Sequence, residues 1–274
     1  MASIMRVRPG RIRRRRFVLI SLAALLLSIS GSMTVHGGAG QWKPALWPRL
    51  TISYCVEPGE PGLEATVQSA IRALEQQTSF RFSRTAFDQN ARRGCSSCAQ
   101  GCIRFIRPPL CDSGRCSAPV GWLGPSTPST VYIAARCELG NILHELGHAL
   151  GLYHEHNRWD RGRYVNVNWE FVKRSNARQS AQRAECYKGG PVFTAQYLAE
   201  KEFKPLELWK ADQYGSYDPY SIMHYPVGPG TPLDLTTAGS TFPPDPSGLF
   251  IGQRVRLSPT DVAMLRHMYE NTPP

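Results

Sequence analysis

Beyond its first thirty residues this chain has no apolar run long enough to cross a bilayer, which takes about 20 residues. Internal repeats and low-complexity tracts are missing too, so neither a solenoid nor a disordered chain is indicated. Acid is absent from residues 1–36, where seven arginines (6, 8, 11 and 13–16) stand without a counter-charge. That head accounts for most of the formal net charge of +11. With it set aside, 25 Lys and Arg face 21 Asp and Glu, a balance of +4. A strongly basic chain suggests nucleic acid or an anionic membrane as partner. The remainder gives no such suggestion, and no nucleic acid partner is expected.

What is present suits one sizeable core, or two lobes around a cleft: 274 residues, 42% hydrophobic, with 24 Gly and 22 Pro. The head reads as an export signal over residues 1–37. Arg13 to Arg16 supply a positive start, Phe17 to Ile29 an apolar stretch of thirteen residues, and Val35-His36-Gly37 a place to cut. Arg14-Arg15-Arg16-Phe17 also resembles a twin-arginine signal, which would imply a bacterial source; an ordinary arginine-rich signal and an uncleaved anchor are the other readings. The expected location is extracellular, or periplasmic in a bacterium, with no stable membrane span once the signal is removed.

Eight cysteines follow, at 55, 95, 98, 102, 111, 116, 137 and 186. An even count in an exported chain reads as disulfides. Cys95 and Cys98 have C-x-x-C spacing, so a second zinc site competes with that reading, and export favours the disulfides. Residues 88–118 are rich in Cys, Gly, Ser and Arg and lack any long period, which predicts a disulfide-stapled surface excursion.

One stretch organises the rest: His144-Glu145-Leu146-Gly147-His148-Ala149-Leu150-Gly151-Leu152-Tyr153-His154. On a helix, His144 and His148 share a face one turn apart, and Glu145 lies beside them. Gly151 suits a left-handed residue that ends the helix and returns His154 to the same point. Three neutral imidazoles hold one zinc ion and leave a position open for water, the arrangement of a catalytic site. The pattern resembles the metzincin signature.

Past the third histidine the chain continues His154-Glu155-His156-Asn157-Arg158-Trp159-Asp160-Arg161, and far downstream comes Ser221-Ile222-Met223-His224-Tyr225. Ile251-Gly252-Gln253-Arg254 and Leu257-Ser258-Pro259-Thr260-Asp261 follow near the end. These runs resemble the astacin family of zinc endopeptidases, in register from about Leu46 to Tyr269. The resemblance implies an α+β metzincin-like catalytic domain over 38–274. Its amino-terminal lobe (about 45–154) carries a twisted mixed sheet and two helices. Its carboxy-terminal lobe (about 155–274) is mostly irregular and ends in a helix, with zinc in the cleft between lobes. His144, His148 and His154 are the expected ligands of one Zn2+, with Glu145 and Tyr225 catalytic. Met223 is expected to pack beneath the metal, and Tyr225 to cap zinc at rest and swing off for substrate. Glu155 is expected to receive the new amino terminus, and His156 and His224 not to be ligands. Cys116 and Cys137 match a family bridge. Cys102 matches a family cysteine whose usual partner is missing after Tyr269.

The resemblance further implies protein or peptide substrates, a monomer, and a substrate-pairing strand at Ser129–Ala134. It also implies a taste for an acidic residue just after the cleaved bond, with Arg254 and Arg256 as candidates to read it. The family's inhibitory aspartate is absent from residues 37–46. No module is expected after the last helix. Two other functions remain: a zinc-containing binding module that lost catalysis, and a hydrolase of another amide such as a peptidoglycan crosslink. The presence of Glu145 and Tyr225 favours an active peptidase.

Elsewhere, Leu50 to Tyr54 alternates as a strand, and Phe80–Phe82 and Ile103–Ile106 read as short strands. Leu63, Val67, Ala70, Ile71 and Leu74 mark one face of a helix after Pro61-Gly62. The zinc helix is expected from roughly Leu139 to Leu150. Residues 174–210 look like an insertion forming one or two helices over the cleft. A last helix is capped by Ser258, with Pro259 first and Asp261 near its positive end.

Overall fold

The computed structural model describes residues 45–274 except 60–61, 91–93, 97, 110–113, 187–193 and 208–212. The expected signal at 1–37, the start near Gly38, Pro61 and Cys111 lie outside the described residues.

Four strands build one sheet in the order β2-β1-β3-β4: β1 Thr51–Val56, β2 Arg81–Arg84, β3 Ile103–Ile106 and β4 Ser129–Tyr132. All three pairings are parallel, with Tyr54 opposite Ile103 and Ile103 opposite Ser129. The expected mixed sheet is thus parallel in its named strands. The antiparallel component among the described residues is a bridge from Ser117 to Tyr132 on the outer edge of β4. Cys116, joined to Cys137, pins that segment in place. At Tyr132, therefore, the expected substrate-pairing edge of 129–134 is already taken by Ser117.

Helix α1 (Leu63–Gln77) crosses between β1 and β2. Gly62, at φ 79°, adopts the left-handed conformation that glycine tolerates, and sets the chain into the helix. All five residues of the expected stripe are buried. Helix α2 (Leu139–Ala149) packs beside α1, its first turn closed by a bond from the Glu138 N–H to Asn141 Oδ1, 3.0 Å. Parallel strands covered by apolar helices bury their backbone groups and their Ile, Val and Phe side chains together. Ile52, Ile103, Phe105, Val131, Leu74, Ile142, Leu143 and Leu146 accordingly form the centre of the core.

After His154 come β5 (Val165–Val167), α3 (Trp169–Cys186), α4 (Ala195–Phe203), β6 (Leu233–Leu235) and α5 (Pro259–Tyr269). β5 and β6 pair antiparallel. The expected insertion is helical, as α3 and α4, so this half is more regular than its sequence suggests. A small cluster of Val172, Ala199, Phe203 and Leu233 joins α3 and α4 to β6. Helix α5 leaves this half and packs in the first core through Leu265 and Tyr269. The expected division near 154 and 155 therefore runs through a shared core. Among the described residues no helix is long and apolar enough to span a membrane.

The stapled excursion is as expected: Cys55 pairs with Cys95, and Cys98 with Cys102. Cys102 thus finds a local partner in place of the missing family one. These bonds consume the C-x-x-C thiols that a second zinc site would need.

Candidate active site

Helix α2 buries His144, Glu145 and His148 on its last two turns. Gly147 sits between them, close against the downstream turn: a Cβ there would meet Met223 Sδ at 2.7 Å, so that side chain would have to shift. The methionine of the downstream turn therefore does lie under the histidine-bearing helix. Gly151, at φ 104°, makes the reversal that sends His154 back.

Two imidazoles have their outer nitrogens occupied. His144 Nδ1 lies 2.7 Å from the Ile222 carbonyl and His148 Nδ1 2.8 Å from the Leu152 carbonyl. A carbonyl only accepts, so each Nδ1 carries hydrogen and each Nε2 offers a lone pair inward. The Nε2 of His154 stands 3.2 Å from that of His144 and 3.0 Å from that of His148. Tetrahedral zinc with nitrogens at about 2.0–2.1 Å would hold them roughly 3.3 Å apart. The donor set fits that ion in type, count and spacing. Carbonyls that orient metal-binding histidines from behind complete the fit.

The electrostatics agree. Burial pushes His144 and His154 well below the ordinary histidine range, and His148 down to about 4. All three are therefore neutral, the form that binds metal. Burial also raises Glu145 to about 8, against the nearby Arg254 guanidinium and a hydrogen bond from the Ala118 backbone. Its Oε2 is buried without a hydrogen-bond partner among the described residues. A bound dication would favour the carboxylate form.

Tyr225 faces the same cleft. Its ring centroid is 4.5 Å from that of His154, and its hydroxyl donates to Glu202 Oε1 at 2.7 Å. Glu202 lies on α4 and was not among the expected site residues. His156 is buried and stacks on His154 at 4.8 Å, and its ring nitrogens have no hydrogen-bond partner among the described residues. His224 is turned away, 2.6 Å from the Tyr217 hydroxyl.

The turn carrying Met223 is held from α5. Asp261 accepts from Ser221 Oγ (2.6 Å), the Ile222 N–H (2.9 Å) and the Ser258 N–H (2.9 Å). Arg254 donates from Nη1 to the carbonyls of Ile222 (2.9 Å) and His224 (3.0 Å). Of the two candidate readers of an acidic side chain, Arg254 lines the cleft with His144, Glu145 and Tyr225, and Arg256 does not. Glu155 stands at a separate cavity of about 490 Å³, bordered by Leu46, Arg158 and Asp261. Its Oε1 accepts from the Asp218 N–H at 2.8 Å and lies 3.5 Å from Arg158 Nε.

Known proteins are similar in sequence and in fold. Residues 41–188 match the model of the peptidase family described as Astacin. Protein SpAN of Strongylocentrotus purpuratus is 28% identical over 225 residues, covering 82% of this chain and 31% of that protein. The astacin-like metalloendopeptidase of Gallus gallus is 36% identical over 177 residues, 61% of this chain and 36% of its own length. The chain thus spans about a third of the length of these relatives. In three dimensions, high choriolytic enzyme 1, a hatching enzyme zinc-protease from Oryzias latipes, superposes with a TM-score of 0.54 at 24% identity. That match covers 84% of this chain and 94% of the other, and the likeness is one of fold. The family match, over more than half the chain and through the histidine cluster, establishes that this chain belongs to the astacin family of peptidases.

Proposed function

We propose that the chain is a zinc-dependent endopeptidase that hydrolyses peptide bonds in proteins outside the cell or in a periplasm. One observation carries this reading: three inward Nε2 atoms converge, that of His154 lying 3.2 Å and 3.0 Å from those of His144 and His148, with the Glu145 carboxyl beside them. When bound, zinc lowers the pKa of its water towards neutrality and polarises the scissile carbonyl.

His144, His148 and His154 hold the ion, with the Ile222 and Leu152 carbonyls fixing two of the rings. Glu145 takes a proton from the attacking water and gives it to the leaving amine. Tyr225 turns its hydroxyl to the carbonyl oxygen as charge develops there. Met223, under the helix, fills the space below the ligands. Glu155 and its cavity take the amino terminus of a mature chain that begins near Gly38. Arg254 reads an acidic side chain after the cleaved bond, with the guanidinium already anchored by the downstream turn.

Glu145→Ala tests the reading. The purified variant is expected to keep one zinc per chain by metal analysis and lose nearly all turnover of a peptide library read by mass spectrometry. Wild-type activity in that variant would sink the mechanism. Tyr225→Phe removes one donor and should lower turnover by about a hundred- to thousand-fold with little change in KM.

A further inference from the structure

The α3 wall of the cleft holds a polar group that neither the fold nor the proposed chemistry uses. Asn176 lies one helical turn after Val172 and shares its face. Val172 packs with Ala199, Phe203 and Leu233 in the small core of this half. An apolar side chain at 176 would extend that core. The sequence instead places an amide there, 3% exposed. Its Nδ2 is buried with no hydrogen-bond partner among the described residues. A buried N–H without an acceptor costs stability, so folded proteins hold few of them, and each needs a reason.

The reason lies in what Asn176 borders. It lines a cavity of about 550 Å³ together with His144, Glu145 and Arg254. Phe171, Val172, Phe203, Pro226 and Pro232 give that cavity apolar walls. Apolar walls with a few convergent polar groups are the usual construction of a binding pocket. Resting on the peptidase reading above, we propose that Asn176 is a specificity-determining residue, whose Nδ2 donates to the oxygen of a substrate side chain ending in a carboxamide or a carboxylate. A turn of the amide about its terminal torsion brings the N–H to the cavity, and the arriving oxygen supplies the acceptor that the free protein lacks. A side chain is the part of a peptide that reaches this depth. The main chain passes the histidines, whereas Asn176 is set into the wall beside Val172. Arg254 favours a carboxylate for its charge. Asn176 is indifferent to charge, so it extends the choice to neutral Gln and Asn.

Peptide binding separates the two donors. The full chain carrying Glu145→Ala, expected to bind without turnover, is titrated with labelled, acetylated octapeptides that are alanine except for one scanned residue. At one position of the scan, Gln should bind about tenfold more tightly than Met, and Asn than Leu. Each pair matches in size and differs in the acceptor oxygen, whose absence leaves the buried N–H unpaired. Adding Asn176→Leu should bring both pairs within about two-fold of each other, while the advantage that Arg254 gives Glu over Gln persists. Asn176→Leu alone should melt at or above the wild-type temperature, because it removes an unpaired buried amide. Should the leucine variant fail to fold, Asn176→Ala takes its place in the titration. An undiminished Gln-over-Met ratio in either variant would overturn the proposal. So would equal weakening of every peptide, the mark of a donor to the main chain, or ratios near one at every position before the substitution. A chain with Glu145 intact that cuts no peptide of a library would instead sink the peptidase reading, and the binding ratios would still decide the role of Asn176.

Discussion

His148 is buried against the Leu152 carbonyl and titrates near 4, well under the ordinary 6.5. Burial penalises the imidazolium, so the ring stays neutral as the solution becomes acid. His144 and His154 are shifted in the same direction. A depressed histidine pKa means that protons begin to compete for the nitrogens only below that lowered value. Zinc should therefore be retained at about pH 5.5 and be lost as the pH falls towards about 4. Equilibrium dialysis with metal analysis across that range checks it; release centred near the ordinary histidine value of about 6.5 would show that burial does not protect the ligands. The convergence of these three histidines was legible in the sequence because a four-residue spacing on a helix and one glycine reversal are local geometry. Glu202 was not legible. It lies 23 residues from Tyr225, on a helix whose apolar pattern is weak, and only the α3–α4 packing brings it to the phenol.

Among the elements, α5 shows how a cap can do more than end a helix. Ser258 caps α5 as its sequence predicts, and Asp261, expected only to favour the positive end, also returns a bond to the Ser258 N–H, so the first turn closes reciprocally. The sequence could not show that the same Asp261 carboxylate holds Ser221 and Ile222, 40 and 39 residues earlier. Ile222 in turn presents its carbonyl to His144. Asp261→Ala strands several buried donors, each costing about 1–3 kcal/mol when left unpaired, so a loss of roughly 2–4 kcal/mol is expected. Urea unfolding of the zinc-loaded protein measures it, and weaker zinc retention should accompany it. A Ser258→Ala variant loses the cap and its bond to Asp218 and should lie nearer about 1–2 kcal/mol. The parallel sheet was only half legible. Its strands show as short apolar runs, but their direction depends on the α1 crossover. The edge position of Ser117 follows from a disulfide whose pairing came from the family likeness alone.

At the scale of the molecule, the cavity beside Glu155 gives the proposed start near Gly38 its test. Amino-terminal sequencing of secreted material should find that start, in protein that is active as isolated. A start near Trp47, made by a second protease acting on inactive material, would reveal a zymogen. The core holds a consequence for the order of assembly. Trp47 donates from Nε1 to the Ala149 carbonyl, and Tyr269 donates from its hydroxyl to the Leu150 carbonyl, so both flank the end of α2. Asp261 steadies the turn that steadies His144. A nascent chain presents the histidine motif long before α5 exists, and the turn behind His144 gains its Asp261 anchor only once α5 has docked. The helix that emerges after all the others described here is thus the one that steadies the turn behind His144.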